Sequence, residues 1–143
     1  NLGGIVMALF EDGDFISHAG LPLGWKIECD ALSKHDWRCL AKMIHEYEPQ
    51  PWRKAVGIPR GGVLLGEYCD EYSTGNKDDP ILIVDDVYTT GTSFKEFRLN
   101  GYAFDPVIQW CVFARKPIGN GWGKEVIRTN ALFTMPPEPE KKR

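Results

Sequence analysis

The sequence lacks paired cysteines, long apolar runs and any strong excess of charge, and each absence excludes a class of protein. Cys29, Cys39, Cys69 and Cys111 lie far apart with no C-x-x-C between them, so neither a zinc site nor a dithiol redox centre is suggested. A reduced, cytoplasmic protein is the plain expectation. The apolar patch within residues 1–10 has no basic leader and is far short of the roughly 20 residues needed to span a bilayer. The 17 basic and 20 acidic side chains nearly cancel to a net charge of -3, which gives no electrostatic reason to expect a nucleic acid or a membrane as partner. No internal repeat is visible. A phosphate-binding G-x-x-x-x-G-K-[ST] is also missing, since residues 119–124 have the wrong glycine spacing and are followed by Glu125. His35 and His45 flank one helical stretch at a spacing that does not suit a metal.

What is present is the material of one ordinary globular domain: 143 residues, 43% hydrophobic, enough for a single core. The domain is expected over 1–135, with the proline- and charge-rich tail 136–143 disordered. Met7 is expected as the natural start, with residues 1–6 lying upstream of it. Residues 13–30, broken by Gly20, Pro22 and Gly24, suit short strands and turns and are expected as a small irregular hood.

From residue 33 the pattern becomes regular. Residues 33–48 place Trp37, Leu40, Ala41, Ile44 and Tyr47 on one face of a helix that Pro49 and Pro51 stop. Residues 54–58 form a short strand, followed by the loop Pro59-Arg60-Gly61-Gly62 and a helix over 63–72. The aliphatic run 81–84 has the signature of a strand covered on both faces. A second turn and helix end near Gly101, and 107–114 is another apolar strand. This alternation predicts an α/β fold with a mainly parallel sheet flanked by helices. Ligands of such sheets sit at the carboxyl ends of strands. The loops after Ile58 and after Val84 fall there.

The stretch from Ile81 to Ser93 carries the chemistry. A buried strand delivers Asp85 and Asp86 to its end, and a loop rich in hydroxyls (Thr89, Thr90, Gly91, Thr92, Ser93) then opens a helix. Backbone N–H groups at a helix N-terminus, joined by hydroxyl donors, suit a phosphate dianion. Carboxylates accept from sugar hydroxyls and repel phosphate, so the combination suits a phosphorylated sugar. An aliphatic strand ending in two aspartates also occurs in Walker B strands and phosphorelay receivers; the threonine-rich loop is what sets this stretch apart.

These residues resemble the phosphoribosyl-pyrophosphate motif of the type I phosphoribosyltransferases, and the loop of residues 57–62 resembles that family's pyrophosphate loop, one helix earlier in the chain. The resemblance implies that Asp85 and Asp86 engage the ribose 2- and 3-hydroxyls and that Thr89, Thr90, Gly91, Thr92 and Ser93 hold the 5-phosphate. Pro59, Arg60, Gly61 and Gly62 would hold the pyrophosphate, with Arg60 as its cation. Asp85, Asp86 and Arg60 would then be the catalytic set, with Mg2+ as cofactor, held by the aspartates through water. The bond between Pro59 and Arg60 is expected to be cis, as one in this loop often is in the family. Many members are dimers, so a homodimer is compatible with the resemblance.

The acceptor base stays open. Members acting on 6-oxopurines carry an aspartate three residues beyond the second acid, where this chain has Thr89; orotate phosphoribosyltransferases have threonine there. Residues 15–20 resemble the orotate enzymes' Phe-x-x-Lys-Ser-Gly, with His18 in place of the lysine. Arg115 matches an arginine that contacts orotate in that family, yet residues 113–117 also look like the purine-type Phe-Ala-Lys-Pro. Trp122 could stack on a base. The family's long mobile lid is expected to be shortened or absent, because only about eight residues, 73–80, occupy its place. An enzyme, a non-catalytic sensor with the same pocket and a coincidental motif on an ordinary α/β domain all remain open.

Overall fold

The computed structural model describes residues 9–16, 22–115, 118 and 127–135. Contacts group the chain into two compact units, a smaller one containing the N-terminal strands and a larger one spanning His35–Pro137. In the smaller unit the backbone forms an antiparallel pair, β1 (Phe10–Ile16) and β2 (Pro22–Ile27), with a break in register between Asp12 and Phe15. The expected short strands are therefore present, beginning three residues ahead of the hood's anticipated start.

The larger unit follows the order α1 (Lys34–Tyr47), β3 (Lys54–Gly57), α2 (Val63–Asp70), β4 (Ile81–Tyr88), α3 (Thr92–Gly101), β5 (Val107–Ala114), β6 (Thr129–Thr134). Strands β3-β4-β5-β6 form one sheet in that order, every neighbouring pair parallel. Successive side chains of a strand face opposite sides, and Ile81, Leu82, Ile83 and Val84 are all at most 1% exposed, so both faces are covered. On one face Phe94 of α3 packs with Ile81, Ile83 and Cys111. Burying one such side chain contributes about 1.5–3 kcal/mol, which is why an all-aliphatic strand occupies the middle of the sheet.

In α1 the residues Trp37, Leu40, Ala41 and Ile44 are buried at the expected helical spacing, whereas Tyr47 is 63% exposed. The helix ends there, and Tyr47 falls past the covered stripe. Helix α1 lies beside α2, with the Arg38 guanidinium 4.9 Å from the centre of the Tyr68 ring. His45 stacks on Tyr72 and meets the edge of Trp52, an aromatic contact rather than a ligand role. His35 is exposed, with Nε2 3.7 Å from Cys39 Sγ. Asp70, Glu67 and Glu71 lie on an exposed face of α2, but Asp70 does more than solvate it. Its Oδ1 accepts from the Ala55 N–H at 2.9 Å and from Ser73 Oγ at 2.7 Å, tying the end of α2 to β3.

Two strands differ from the sequence reading. Strand β4 continues through Asp85 and Asp86 to Tyr88, because β5 keeps pairing with it as far as Tyr88↔Ala114. Strand β6 has no counterpart in that reading: it is an edge strand whose burial fades along its length. No helix among the described residues is long and apolar enough to cross a membrane.

Candidate functional site

Two loops leave the carboxyl ends of neighbouring strands, the first after β3. Its backbone turns tightly: the Ile58 N–H donates to Val84 O and the Gly62 N–H to Ile58 O, both at 2.9 Å. The peptide bond between Pro59 and Arg60 is cis, as the resemblance implies. Glycine is required at Gly62, where an added Cβ would sit 2.7 Å from Val84 O. Pro59, Arg60 and Gly61 are exposed at the tip, while Gly62 is buried beneath them.

The last residues of β4 supply the acids. Asp85 is 8% exposed and Asp86 is half-buried. Each carboxylate accepts from the next backbone N–H: Asp86 N–H to Asp85 Oδ1 at 2.9 Å and Val87 N–H to Asp86 Oδ1 at 2.8 Å. Burial, and after it the neighbouring Asp86 charge, pushes the Asp85 carboxyl up to about 8, so this acid keeps its proton near neutrality. Burial also pushes the Cys111 thiol, paired with Asp85 across the sheet, up to about 12. Asp86 reaches the first loop, its Oδ2 occupying the space where a side chain on Gly61 would begin.

The second loop runs from Thr89 to Ser93 into α3. Gly91 has φ 84°, a left-handed conformation that L side chains rarely adopt. The Thr90 and Thr92 hydroxyls are 2.9 Å apart, and the Thr92 N–H donates to Thr90 Oγ1 at 3.4 Å. Thr90, Thr92 and Ser93 are exposed and Thr89 is half-buried. The Arg115 N–H donates to Tyr88 O at 3.0 Å, which sets the end of β5 against the start of this loop. His18, Trp122 and residues 116–117 lie outside the described residues, as do Met7 and the tail.

Thus Asp85, Asp86, the first loop, the second loop and the Arg115 backbone meet at one end of the sheet. Between α2 and β4, residues 71–80 make a compact turn. There the Thr74 N–H donates to Trp52 O and the Gly75 N–H to Arg53 O, so the turn is fastened ahead of β3, near the strands' amino ends.

A cavity of about 230 Å3 opens beside the second loop, with Tyr88, Thr90, Gly91 and Thr92 on its wall. Asp85, Asp86 and Arg60 are not part of that wall. Its remaining lining includes Lys95, Arg98, Gln109 and Thr129, none of which the sequence reading singled out. They come from α3, β5 and β6, and only the spacing of Lys95 and Arg98 on one helix face was there to be seen.

No family model and no curated protein matches the sequence, so the likeness to known proteins is one of structure. The chain is similar to the orotate phosphoribosyltransferase of Aeropyrum pernix, with a TM-score of 0.65 and 22% identity over 88% of each chain. It is similar to the UMP synthase of Leishmania donovani, with a TM-score of 0.65 and 14% identity, covering 88% of this chain and 33% of that one. A third structure, the orotate phosphoribosyltransferase of Francisella tularensis, gives a TM-score of 0.57 at 15% identity, covering 88% and 80% of the two chains. At such identities the likeness is one of fold. The larger unit's parallel sheet and flanking helices thus belong to the phosphoribosyltransferase fold.

Proposed function

We propose that this chain is a type I phosphoribosyltransferase that binds 5-phosphoribosyl-1-pyrophosphate and transfers its ribose 5-phosphate to a nitrogenous base, releasing pyrophosphate. The observation that carries the reading is the meeting of Asp86 with Gly61, which joins the first loop to the acidic end of β4. In this reading Asp85 and Asp86 take the ribose hydroxyls, Thr89, Thr90, Gly91, Thr92 and Ser93 the 5-phosphate, and Pro59, Arg60, Gly61 and Gly62 the pyrophosphate.

Arg60 presents a planar cationic fork to a leaving group that gains negative charge. The chain needs no nucleophile; it positions the sugar and stabilises separated charge. Asp85 and Asp86 offer hard oxygen donors side by side, and a cation there would favour the ionised form of Asp85 that burial alone opposes; no cluster of three or more His, Cys, Asp or Glu able to hold a metal occurs among the described residues. That set fits Mg2+, which keeps several waters and rides on substrate phosphates; Asp85 and Asp86 would hold it through water. When bound, it supplies charge neutralisation at the pyrophosphate. Orotate or a related base is the favoured acceptor, since Thr89 stands where purine enzymes carry an aspartate. Arg115 would face that base.

A second reading, a non-catalytic sensor of the same ligand, is favoured by one observation: the turn at residues 71–80, where the family's lid would be expected, is fastened to Trp52 and Arg53 ahead of β3. Mixing the full chain with phosphoribosyl pyrophosphate, Mg2+ and a panel of bases decides between them. Pyrophosphate release identifies the enzyme and its acceptor. Tight calorimetric binding without turnover identifies the sensor.

A further inference from the structure

The cavity beside the second loop belongs to the proposed 5-phosphate site, since Thr90, Gly91 and Thr92 form part of its wall. Its deeper polar groups already serve one another. Arg98 Nη1 donates to Gln109 Oε1 at 2.9 Å, and Gln109 Nε2 donates to Thr129 Oγ1 at 2.8 Å. Lys95 is engaged as well. What the proposed function leaves without a role on that wall is Tyr88.

Tyr88 is the last residue of β4, and its half-buried ring is fixed by what it packs on. It lies against the buried cluster that includes Ile83, Phe94 and Cys111, its centre 6.1 Å from that of the Phe94 ring in the first turn of α3. The backbone is held too, because Tyr88 O accepts from the Arg115 N–H. From this base the phenol reaches along the loop to Gly91: a Cβ placed on that glycine would lie 2.5 Å from the Tyr88 hydroxyl oxygen. A Cα–C bond is about 1.5 Å, so the hydroxyl sits within about 4 Å of the Gly91 Cα. Glycine at this position therefore does two things. It permits the left-handed φ of 84°, and it leaves the space into which the hydroxyl projects.

A tyrosine hydroxyl that leaves water usually finds a hydrogen-bond partner, yet none of the hydrogen bonds among the described residues uses this one. No carboxylate occurs among the described lining residues to accept it. The phenol keeps its proton at neutral pH and so offers a donor, beside the Thr90 and Thr92 hydroxyls and the backbone N–H groups that open α3. A phosphate monoester brings strong acceptor oxygens to such a place. We propose that Tyr88 is a further substrate-binding residue whose O–H donates to the 5-phosphate, so that the site selects a sugar phosphate over the unphosphorylated sugar. This rests on the assignment of residues 89–93 to the 5-phosphate. A ring already fixed against Phe94 presents its donor with little further ordering, which favours binding.

The test is calorimetric titration of ribose 5-phosphate into the full wild-type chain and into Tyr88→Phe, followed by titration of inorganic pyrophosphate into each with ribose 5-phosphate in excess. The variant keeps the ring against Phe94 and removes only the hydroxyl, and an unchanged melting temperature checks that it folds. Affinity for ribose 5-phosphate should fall about tenfold or more, as for loss of one hydrogen bond to a charged group, while pyrophosphate affinity stays within about twofold. Equal ribose 5-phosphate affinity in the two proteins, or an equal loss for both ligands, would overturn the role of Tyr88 and leave the 5-phosphate loop standing. Failure of the loop assignment is distinguishable, because the wild type would then not bind ribose 5-phosphate at all, and the proposal would fall with it.

Discussion

A Cβ placed on Gly61 would lie 2.0 Å from Oδ2 of Asp86: the glycine of the first loop is the surface on which the acid of β4 rests. The atom met is the end of a side chain, so Gly61→Ala can be accommodated by turning Asp86 aside. The fold should survive, with a melting temperature within a few degrees of the wild type. Affinity for phosphoribosyl pyrophosphate should fall about tenfold or more, as for the loss of one hydrogen bond to a charged group. Calorimetry beside thermal denaturation separates the two effects.

Gly66 behaves oppositely. A Cβ there would meet the backbone N of Gly57 at 2.4 Å, where α2 crosses β3, and a backbone contact cannot swing away. Gly66→Ala should cost about 1–3 kcal/mol of stability by overpacking, read as a lowered urea midpoint.

The buried Asp85 gives the chain a pH signature. Its folded pKa, pushed up to about 8, exceeds the ordinary aspartate value of about 3.9 in the unfolded chain. Between those values the folded state holds a proton that the unfolded state has lost, so this group lowers stability as pH rises from about 4 to about 8. Asp85→Asn keeps an oxygen to accept the Asp86 N–H and removes the titration. Urea midpoints measured from pH 5 to 8 should fall less steeply in the variant than in the wild type.

Arg60 is exposed at the tip of its loop, so its loss should leave stability nearly unchanged. Arg60→Ala should weaken pyrophosphate binding about tenfold or more and leave ribose 5-phosphate binding within about twofold. Parallel titrations of the two ligands check the division of labour between the loops.

Most of the larger unit was legible because its signals are local. The spacing of Trp37, Leu40, Ala41 and Ile44 sets α1, and the aliphatic run at Ile81–Val84 marks the central strand. The continuation of β4 to Tyr88 was not legible, since two aspartates read as a strand's end when the partner strand is unseen. Strand β6 escaped because it is an edge strand of mixed polarity, stabilised by pairing with β5 rather than by its own periodicity. The two loops were legible through their residue types and order. The Arg98–Gln109–Thr129 chain was not, because its members come from α3, β5 and β6 and meet only through the fold.

The most direct measurement is calorimetric titration of phosphoribosyl pyrophosphate with Mg2+ into the wild-type chain and into the Asp85→Asn, Asp86→Asn double variant. A single saturable site in the wild type, weakened about a hundredfold or abolished in the variant, is the predicted result. Absence of binding by the wild type, or equal affinity in both proteins, would contradict it.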